Sequence, residues 1–397
     1  MGGSIQSSSP ERVASMGTAI VNGVLLTPDE QFSEQAVIVE GGRITRIDPV
    51  GLVEAQSNTI NARGFYVIPG LIDLHVHGAN GFDTMDATSE AIDGMGHFLA
   101  QHGVTSYLPT TVTASAEATL AAIQNISAMP IPSDGAGPLG IHLEGPYLNR
   151  DYCGAQPHQH LRPADIKEYK LWLENGQIRL ITVAPEVEGV LDLIKAGTEA
   201  GIEFAAGHSA ASYEQMQLAI EHGLHQVTHT FNGMPPLHHR SPGVLGAALS
   251  DNRLRCQIIA DGVHVHPAVV KVLVKSKGID GTILISDGMR ATGLQDGDYA
   301  LGDQQVHVRN GVARTQAGGL AGSTLTLDQA LRNIMHFADL SFKEALPMAT
   351  RVPAIAMNWE GRKGVIAPNA DADLVIMDDH YQVRLTMVGG RVVYSDL

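Results

Sequence analysis

The stretch Leu71-Ile72-Asp73-Leu74-His75-Val76-His77-Gly78 decides the fold assignment, because an apolar run ends there in two alternating histidines and a glycine. Alternate residues of a β-strand point to the same side, so both imidazoles would face one direction and could bind one ion together. A His-x-His pair standing alone is weak evidence for a metal site. The pattern of the surrounding chain is therefore needed to interpret it.

Apolar strand-like runs alternate with helical segments along most of the chain. Several of the intervening helices are predicted to stop at a glycine, at Gly103, Gly201, Gly223 and Gly278, as expected for a left-handed C-cap. The eight strand-like runs are 70–77, 105–111, 139–147, 178–184, 203–209, 226–231, 255–264 and 282–287. Eight such units over roughly 280 residues predict an α/β fold, a (β/α)₈ TIM-like barrel, for residues 69–357.

A doubly wound open sheet is the alternative architecture. The first strand, however, lacks the glycine-rich turn of a dinucleotide site. The later glycine-rich loop 318–323 lacks the lysine of a P-loop, so we interpret it as a ligand loop of another kind.

Both ends of the chain carry short Val/Ile-rich runs separated by turn signals such as Asn22-Gly23 and Gly389-Gly390. We predict that residues 17–68 and 358–397 form a small β-sandwich domain together. Residues 1–16 are rich in Ser and Gly and lack periodicity, so we expect a disordered leader or a cloning remnant.

Composition excludes several classes of protein. Apolar residues make up 44% of the 397 residues and charged residues 17%, which argues against disorder. The net charge of −16 disfavours binding to nucleic acid or to an anionic membrane. No apolar run approaches the length of a membrane span, and two cysteines cannot form a disulfide framework, so we expect a cytoplasmic protein.

Metal-ligating and acidic side chains fall at the ends of separate predicted strands: His75, His77, Glu144, His208, His229 and Asp287. Strand ends around a barrel face one mouth, so these residues could converge on one site. Imidazole and carboxylate ligands favour zinc or an iron-type divalent cation. The alternatives are hydrogen-bonded core histidines, a salt bridge for the glutamate and a turn-forming or helix-capping role for the aspartate.

Six motifs, in this order, give the chain a resemblance to a known family: His75-Val76-His77-Gly78, His142-Leu143-Glu144-Gly145-Pro146, Gly207-His208-Ser209, Thr228-His229-Thr230-Phe231-Asn232-Gly233-Met234, Asp261-Gly262-Val263-His264 and Ser286-Asp287-Gly288. From about residue 17 to the C-terminus the chain resembles the N-acetylglucosamine-6-phosphate deacetylases of the amidohydrolase superfamily. The second and fourth motifs are the most specific of the six.

The resemblance implies roles for the candidate ligands. Glu144, His208 and His229 would hold the principal metal, and Asp287 would be the catalytic acid/base. Because this chain retains His75 and His77, it would bind one or two divalent ions per subunit. Zinc and iron(II) are the leading candidates, with manganese and cobalt as alternatives.

Substrate contacts are also implied by the family. The sugar would lie against Asn232, Gly233 and the loop at Ala155, and the phosphate would meet Arg240 and His264, where an arginine can donate two parallel hydrogen bonds to phosphate oxygens. The glycine loop would contribute Leu320, Ala321 and Gly322. Many relatives have histidine where this chain has Gln156, so a histidine's role is not transferred to it, although Gln156 could donate a hydrogen bond to substrate.

The implied activity is hydrolysis of the linear amide of N-acetyl-D-glucosamine 6-phosphate to D-glucosamine 6-phosphate and acetate, in amino-sugar catabolism and cell-wall sugar recycling. Metal-activated water would attack the acetamide while Asp287 moves the proton. The family also implies a homodimer whose neighbouring subunits share phosphate-binding groups. The alternatives are an N-acetylgalactosamine-6-phosphate deacetylase, a cyclic amidase or deaminase on the same barrel, and a non-catalytic sugar-phosphate-binding protein.

Overall fold

The structure is a computed structural model that describes residues 17–27, 31–53, 58–129 and 134–397, so the leader predicted for residues 1–16 lies outside it. The central sheet contains eight parallel barrel strands in sequence order and one short extra strand, Gly137–Pro138, beside the second of them, which confirms the predicted (β/α)₈ barrel. The strands, here numbered barrel strands 1 to 8, are Leu71–Val76, Val104–Thr111, Ile141–Glu144, Ile178–Val183, Glu203–Ala206, Leu224–Val227, Arg255–Ile259 and Thr282–Ile285.

One principal helix follows each barrel strand. These eight helices are Ser89–Gln101, Ala116–Ala128, Ile166–Asn175, Val190–Glu199, Tyr213–Glu221, Gly243–Ser250, Pro267–Lys277 and Leu327–Ala338, and the short helices Phe342–Ala345 and Arg351–Ala356 complete the ring. Among the described helices, none has the length and apolar character needed to cross a lipid bilayer.

The fifth of these helices shows how the local sequence sets its ends. The side chain of Ser212 accepts from the backbone N–H of Gln215, whose own side chain accepts from Ser212 N–H, so the predicted capping box is present. Met216 and Ile220, one helical turn apart, are buried against the barrel. Gly223 follows with a φ of 112°, which only glycine adopts without strain, and the next strand begins.

Barrel strands 1 and 8 meet at a seam that lies beside the candidate ligands. The backbone N–H of Asp287 donates to the carbonyl of His75 at 2.9 Å, and His77 N–H donates to the carbonyl of Gly288 at 2.8 Å. Below them, the fully buried carboxylate of Asp73 accepts from the backbone N–H groups of His75 and Ser286. The seam therefore fixes the His-x-His strand against the strand that leads to Asp287.

Strands from both ends of the chain build two further sheets. The first, in spatial order, contains Arg43–Pro49, Gln35–Glu40, Thr18–Val21 and Asn58–Asn61. The second contains Arg391–Ser395, Val383–Val388, Leu374–Met377, Tyr66–Pro69, Val24–Leu26 and Gln31–Phe32. Ile20 and Val37 of the first sheet share one apolar core with Leu374 and Leu385 of the second, so the two ends form the predicted sandwich.

A three-stranded antiparallel sheet is inserted between barrel strand 8 and its helix. Its strands are Gly297–Leu301, Gln304–Arg309 and Val312–Thr315. Leu301 and Val306 are buried in a small core that also contains Met289 and Ala321. This sheet was not predicted from the sequence, and its Leu301 lines the cavity at the barrel mouth.

Candidate metal centre and substrate cavity

All six candidate ligand and acid side chains converge at the mouth of the barrel. His75 is the fifth residue of barrel strand 1, Glu144 is the last residue of barrel strand 3, and the others follow directly on strands 1, 5, 6 and 8. Each of the six is at most 7% exposed. The structure therefore brings together residues that are up to 212 positions apart in sequence, as the barrel topology predicts.

Glu144 lies at the centre of this cluster, and His75 Nε2 lies 3.6 Å from its Oε1. Its Oε1 is 3.1 Å from His208 Nε2 and 3.0 Å from His229 Nε2. Its Oε2 is 3.2 Å from His77 Nε2. Two groups of potential ligands consequently share this one carboxylate: His75, His77 and Glu144, and Glu144, His208 and His229.

The donor atoms fit a divalent cation in chemistry, and those of each group lie within 4.8 Å of one another. Ligand atoms about 2.0–2.2 Å from a tetrahedral ion lie roughly 3.3–3.6 Å from one another. His75 and His77 present Nε2 atoms 3.4 and 3.3 Å from Asp287 Oδ1. Within the described residues that buried oxygen has no hydrogen-bond partner, as expected of an atom that faces a cation. The residues present therefore fit the metal that the motifs imply.

Three of these residues leave their strands through an unusual backbone conformation. His208, His229 and Asp287 have φ values of 48°, 28° and 49°, in a region that non-glycine residues rarely adopt. The left-handed turn comes directly after the strand and redirects the side chain towards the barrel axis. Strain of this kind concentrates at functional sites, where the surrounding structure maintains it.

Two of the imidazoles are oriented by backbone carbonyls on their far side. His77 Nδ1 lies 3.1 Å from the carbonyl oxygen of Thr110, and His208 Nδ1 lies 3.0 Å from that of Tyr152. Donation through Nδ1 leaves Nε2 with a free lone pair directed at Glu144. This is the arrangement by which proteins prepare a histidine for metal binding.

A buried histidine supports the cluster from below. His142 is fully buried, with Nδ1 3.2 Å from Thr110 Oγ1 and Nε2 2.7 Å from Thr182 Oγ1. Its ring meets that of His75 edge-on, with ring centres 4.6 Å apart. Burial lowers the pKa of His142 well below its ordinary value, so it is a neutral packing partner in this position.

The carboxylates control protonation within the cluster. Burial opposes the charged form of His77, but Asp287 and Glu144 outweigh it and raise the pKa of His77 to about 10. Burial also opposes the charge on Asp287, but the neighbouring histidines, His75 foremost, lower its pKa to about 2. The two acids therefore require positive charge beside them, and a divalent cation would supply it in place of the proton.

A cavity of about 210 Å³ opens over these ligands. Seven of the nine predicted substrate-binding residues line it: Ala155, Gln156, Asn232, Gly233, His264, Leu320 and Gly322. His264 is held in place by Asp261, whose Oδ2 lies 2.6 Å from His264 Nδ1. Among the described residues, no lysine or arginine lines the cavity.

Two predicted contacts lie elsewhere. Arg240 is exposed, and its guanidinium lies 2.7 Å from His239 Nε2 rather than in the cavity wall. Ala321 is fully buried behind its two neighbours, in the core of the inserted sheet. Of the two residues for which the resemblance implies phosphate contact, His264 lines the cavity of this single chain and Arg240 does not.

Leu301 and Gly154 line the cavity without having been predicted as site residues. Leu301 belongs to the inserted sheet, which the sequence analysis missed. Gly154 lies within the loop already singled out around Ala155, and a Cβ at this position would come 3.4 Å from His208 Cε1. The proximity of the loop to a predicted ligand was the signal that could have identified Gly154.

Comparison with known proteins gives a consistent assignment. The model of the amidohydrolase family matches residues 66–393. N-acetylglucosamine-6-phosphate deacetylase of Vibrio furnissii is 38% identical over 371 residues, covering 92% of each chain. N-acetylgalactosamine-6-phosphate deacetylase of Escherichia coli O157:H7 is 35% identical over 371 residues, covering 93% of this chain and 97% of that one.

A solved structure extends the likeness to three dimensions. A variant of N-acetyl-D-glucosamine-6-phosphate deacetylase from Mycobacterium smegmatis, in complex with N-acetyl-D-glucosamine 6-phosphate, superposes with a TM-score of 0.87 at 30% identity and covers 96% of this chain and 99% of that one. The extent of these matches and the ligand cluster agree. The chain belongs to the amidohydrolase family and, within it, to the N-acetylglucosamine-6-phosphate deacetylases.

Proposed function

We propose that the chain hydrolyses N-acetyl-D-glucosamine 6-phosphate to D-glucosamine 6-phosphate and acetate, in amino-sugar catabolism and cell-wall sugar recycling. The observation that carries the proposal is the convergence of His75, His77, Glu144, His208, His229 and Asp287 beneath one cavity. Relatives named for this reaction match more than nine-tenths of the chain, and a solved relative binds the proposed substrate. Amino-sugar deacetylation is the activity common to all of them.

Two metal sites are part of this proposal. Glu144, His208 and His229 would hold the principal ion, and His75 and His77 would hold a second one together with the same Glu144 carboxylate. The ions are zinc or iron(II), with manganese and cobalt as alternatives. A divalent ion supplies Lewis-acid chemistry, which polarises a carbonyl oxygen and makes water acidic enough to attack near neutral pH.

Asp287 is the proposed proton carrier. Asp287 lines the cavity, and as a carboxylate it can accept a proton from the attacking water. Once water oxygen bonds to the acetyl carbon, the same carboxyl group returns the proton to the amine nitrogen as the carbon–nitrogen bond breaks. The second proton of the water also passes to the nitrogen, so the products are acetate and the ammonium form of the amino sugar, and Asp287 ends the cycle ionised.

The residues of the cavity wall would orient the substrate. Asn232 and Gly233 would meet the sugar, and His264, fixed by Asp261, would meet the phosphate. We also propose that the chain is a homodimer, in which Arg240 of one subunit contacts the phosphate of the substrate bound to the other subunit. The exposure of Leu237 and Arg240 in the same loop supports this arrangement. The two cysteines, both buried and unpaired, agree with a cytoplasmic location.

The test is acetate release from N-acetylglucosamine 6-phosphate and from its galacto epimer. Chelated enzyme would be restored separately with zinc, iron(II), manganese or cobalt. We expect metal-dependent release with a higher kcat/KM for the gluco substrate. The second candidate is the galacto-specific activity, because one relative of similar identity carries that name. A higher kcat/KM for the galacto epimer would select it, and tight binding without acetate release would indicate a non-catalytic sugar-phosphate-binding protein.

A further inference from the structure

A side chain outside the ligand cluster holds the shared carboxylate. Gln156 Nε2 donates to Glu144 Oε2 at 2.7 Å, and Gln156 is only 6% exposed. This contact differs from the substrate hydrogen bond expected of Gln156 from the sequence. The amide reaches the oxygen that faces His77, whereas His75 Nε2 lies 3.6 Å from the other oxygen, Oε1.

The orientation of the Gln156 amide is fixed by its second partner. The backbone N–H of Thr113 donates to Gln156 Oε1 at 2.7 Å. A backbone N–H can only donate, so the amide oxygen must face Thr113 and the NH₂ group must face Glu144. If the amide were turned around, its NH₂ group would face the N–H of Thr113, and its oxygen would face the carboxylate of Glu144.

The rotation of the Glu144 carboxylate decides whether it serves one ligand group or both. Its Oε1 faces His208 and His229, and its Oε2 faces His77. The terminal torsion of a glutamate is broad and soft, so the chain itself does not select this rotation. The hydrogen bond from Gln156 fixes it together with the facing histidines, and it leaves a second lone pair of Oε2 available to a cation.

The same loop also holds a second ligand. Tyr152, four residues before Gln156, places its carbonyl oxygen 3.0 Å from His208 Nδ1. Gly154 and Ala155, between the two, line the substrate cavity. One short segment thus touches the substrate cavity and orients one ligand of each group.

We propose that Gln156 is a positioning residue that holds Glu144 in the rotation in which its two oxygens serve two metal ions. The inference rests on the proposed function, because it takes the cluster to be a metal centre. Its predicted consequence is that loss of the Gln156 amide weakens metal binding, above all in the ligand group that contains His77. A residue that only contacted substrate would leave metal binding unchanged.

The experiment compares Gln156→Leu and Gln156→Met with the wild type and with Gln159→Leu, a control at an exposed position of the same loop. Metal dissociation constants would be measured by competition with a chelator, and the visible spectrum of the cobalt(II)-loaded proteins would report ligand geometry. We expect both Gln156 variants to bind metal about 10–100-fold more weakly, as is typical when the partner of a ligand is removed. Their cobalt spectra should change, and Gln159→Leu should match the wild type.

The inference is overturned if folded Gln156 variants keep wild-type metal affinity and cobalt spectra while KM alone rises, because Gln156 then contacts substrate only. Circular dichroism would verify folding, and the Met variant, which keeps the length of the side chain, serves if the Leu variant is unstable. Wild-type protein that binds metal but releases no acetate would refute the proposed function. In that case, the differences in metal affinity and in the cobalt(II) spectrum would still test the positioning role of Gln156.

Discussion

The backbone N–H of Asp287 donates a hydrogen bond to the carbonyl oxygen of His75 across 2.9 Å, at the seam between the first and last barrel strands. The proposed proton carrier is therefore fixed to the strand that carries the His-x-His pair. Asp287 Oδ1 lies 3.4 Å from His75 Nε2 and 3.3 Å from His77 Nε2. The proposed proton carrier and two of the candidate metal ligands are thus held together at this seam.

The first prediction concerns Asp287→Asn. An amide of the same shape cannot accept the proton of the attacking water, so kcat should fall by about 10²–10⁴-fold. The principal ion, bound away from Asp287 by Glu144, His208 and His229, should be retained. Acetate release and elemental analysis on the same sample would check both points. Normal turnover in the metal-loaded variant would contradict the proton-transfer role.

A second prediction uses the close packing of Gly233 against a ligand. A Cβ at Gly233 would lie 2.8 Å from His208 Nδ1 and 3.2 Å from the carbonyl oxygen of Tyr152. Gly233→Ala should therefore displace His208 from that carbonyl and weaken metal binding by about 10-fold or more. The measurement is metal affinity by chelator competition.

Gly201→Ala is the matched control for this substitution. Gly201 has a φ of +79° against +62° for Gly233, but a Cβ there would meet nothing within 4 Å. Both variants carry the left-handed backbone cost of about 1–2 kcal/mol, and only Gly233→Ala should alter metal affinity. Equal affinities in the two variants would show that His208 tolerates the displacement.

A third prediction concerns acid stability at Asp328. Burial opposes its charge, but the hydrogen bond from His102 and the charges of His102 and Arg332 outweigh it and lower the pKa of Asp328 to about 2. Because the folded pKa lies below the unfolded value of 3.8, the stabilisation is complete above pH 3.8 and is lost as the pH falls through about 2. Its size at neutral pH is about 2 kcal/mol.

Asp328→Asn should accordingly lower the free energy of unfolding by about 2 kcal/mol at pH 7, and the deficit should shrink towards pH 2. Urea unfolding across this pH range would measure it. Asp379→Asn, at a side chain that is 82% exposed, is the control and should have little effect. A deficit that did not change with pH would assign the effect of Asp328 to packing rather than to its charge.

The sequence predicted the barrel well because parallel strands are buried on both faces and read as continuous apolar runs. The strand ends predicted from the sequence were less accurate. The run 226–231 was predicted as one strand, but the strand is Leu224–Val227, and His229 lies beyond it in a left-handed turn. Apolar residues continue into the buried loop after the strand, so hydrophobicity does not mark the residue at which hydrogen-bonded strand pairing ends.

Other features depended on contacts that the sequence does not encode locally. The inserted sheet at Gly297–Leu301 was missed because its short strands are partly exposed and lack a long apolar run. The contact between Gln156 and Glu144 joins a loop to a strand end twelve residues earlier, and only the path of the loop brings them together. Gln156 could be identified from the sequence as a site residue, but its contact with Glu144 could not.

The last prediction separates one metal ion from two. His77→Asn removes an Nε2 that lies 3.2 Å from Glu144 Oε2, while Glu144 Oε1, His208 and His229 remain in place. We expect the wild type to retain two equivalents of metal per chain after dialysis and the variant to retain one. His336→Asn, at an exposed position, should retain two. Two equivalents in His77→Asn would place the second ion elsewhere, whereas one equivalent in the wild type would show that the His-x-His pair holds no ion of its own.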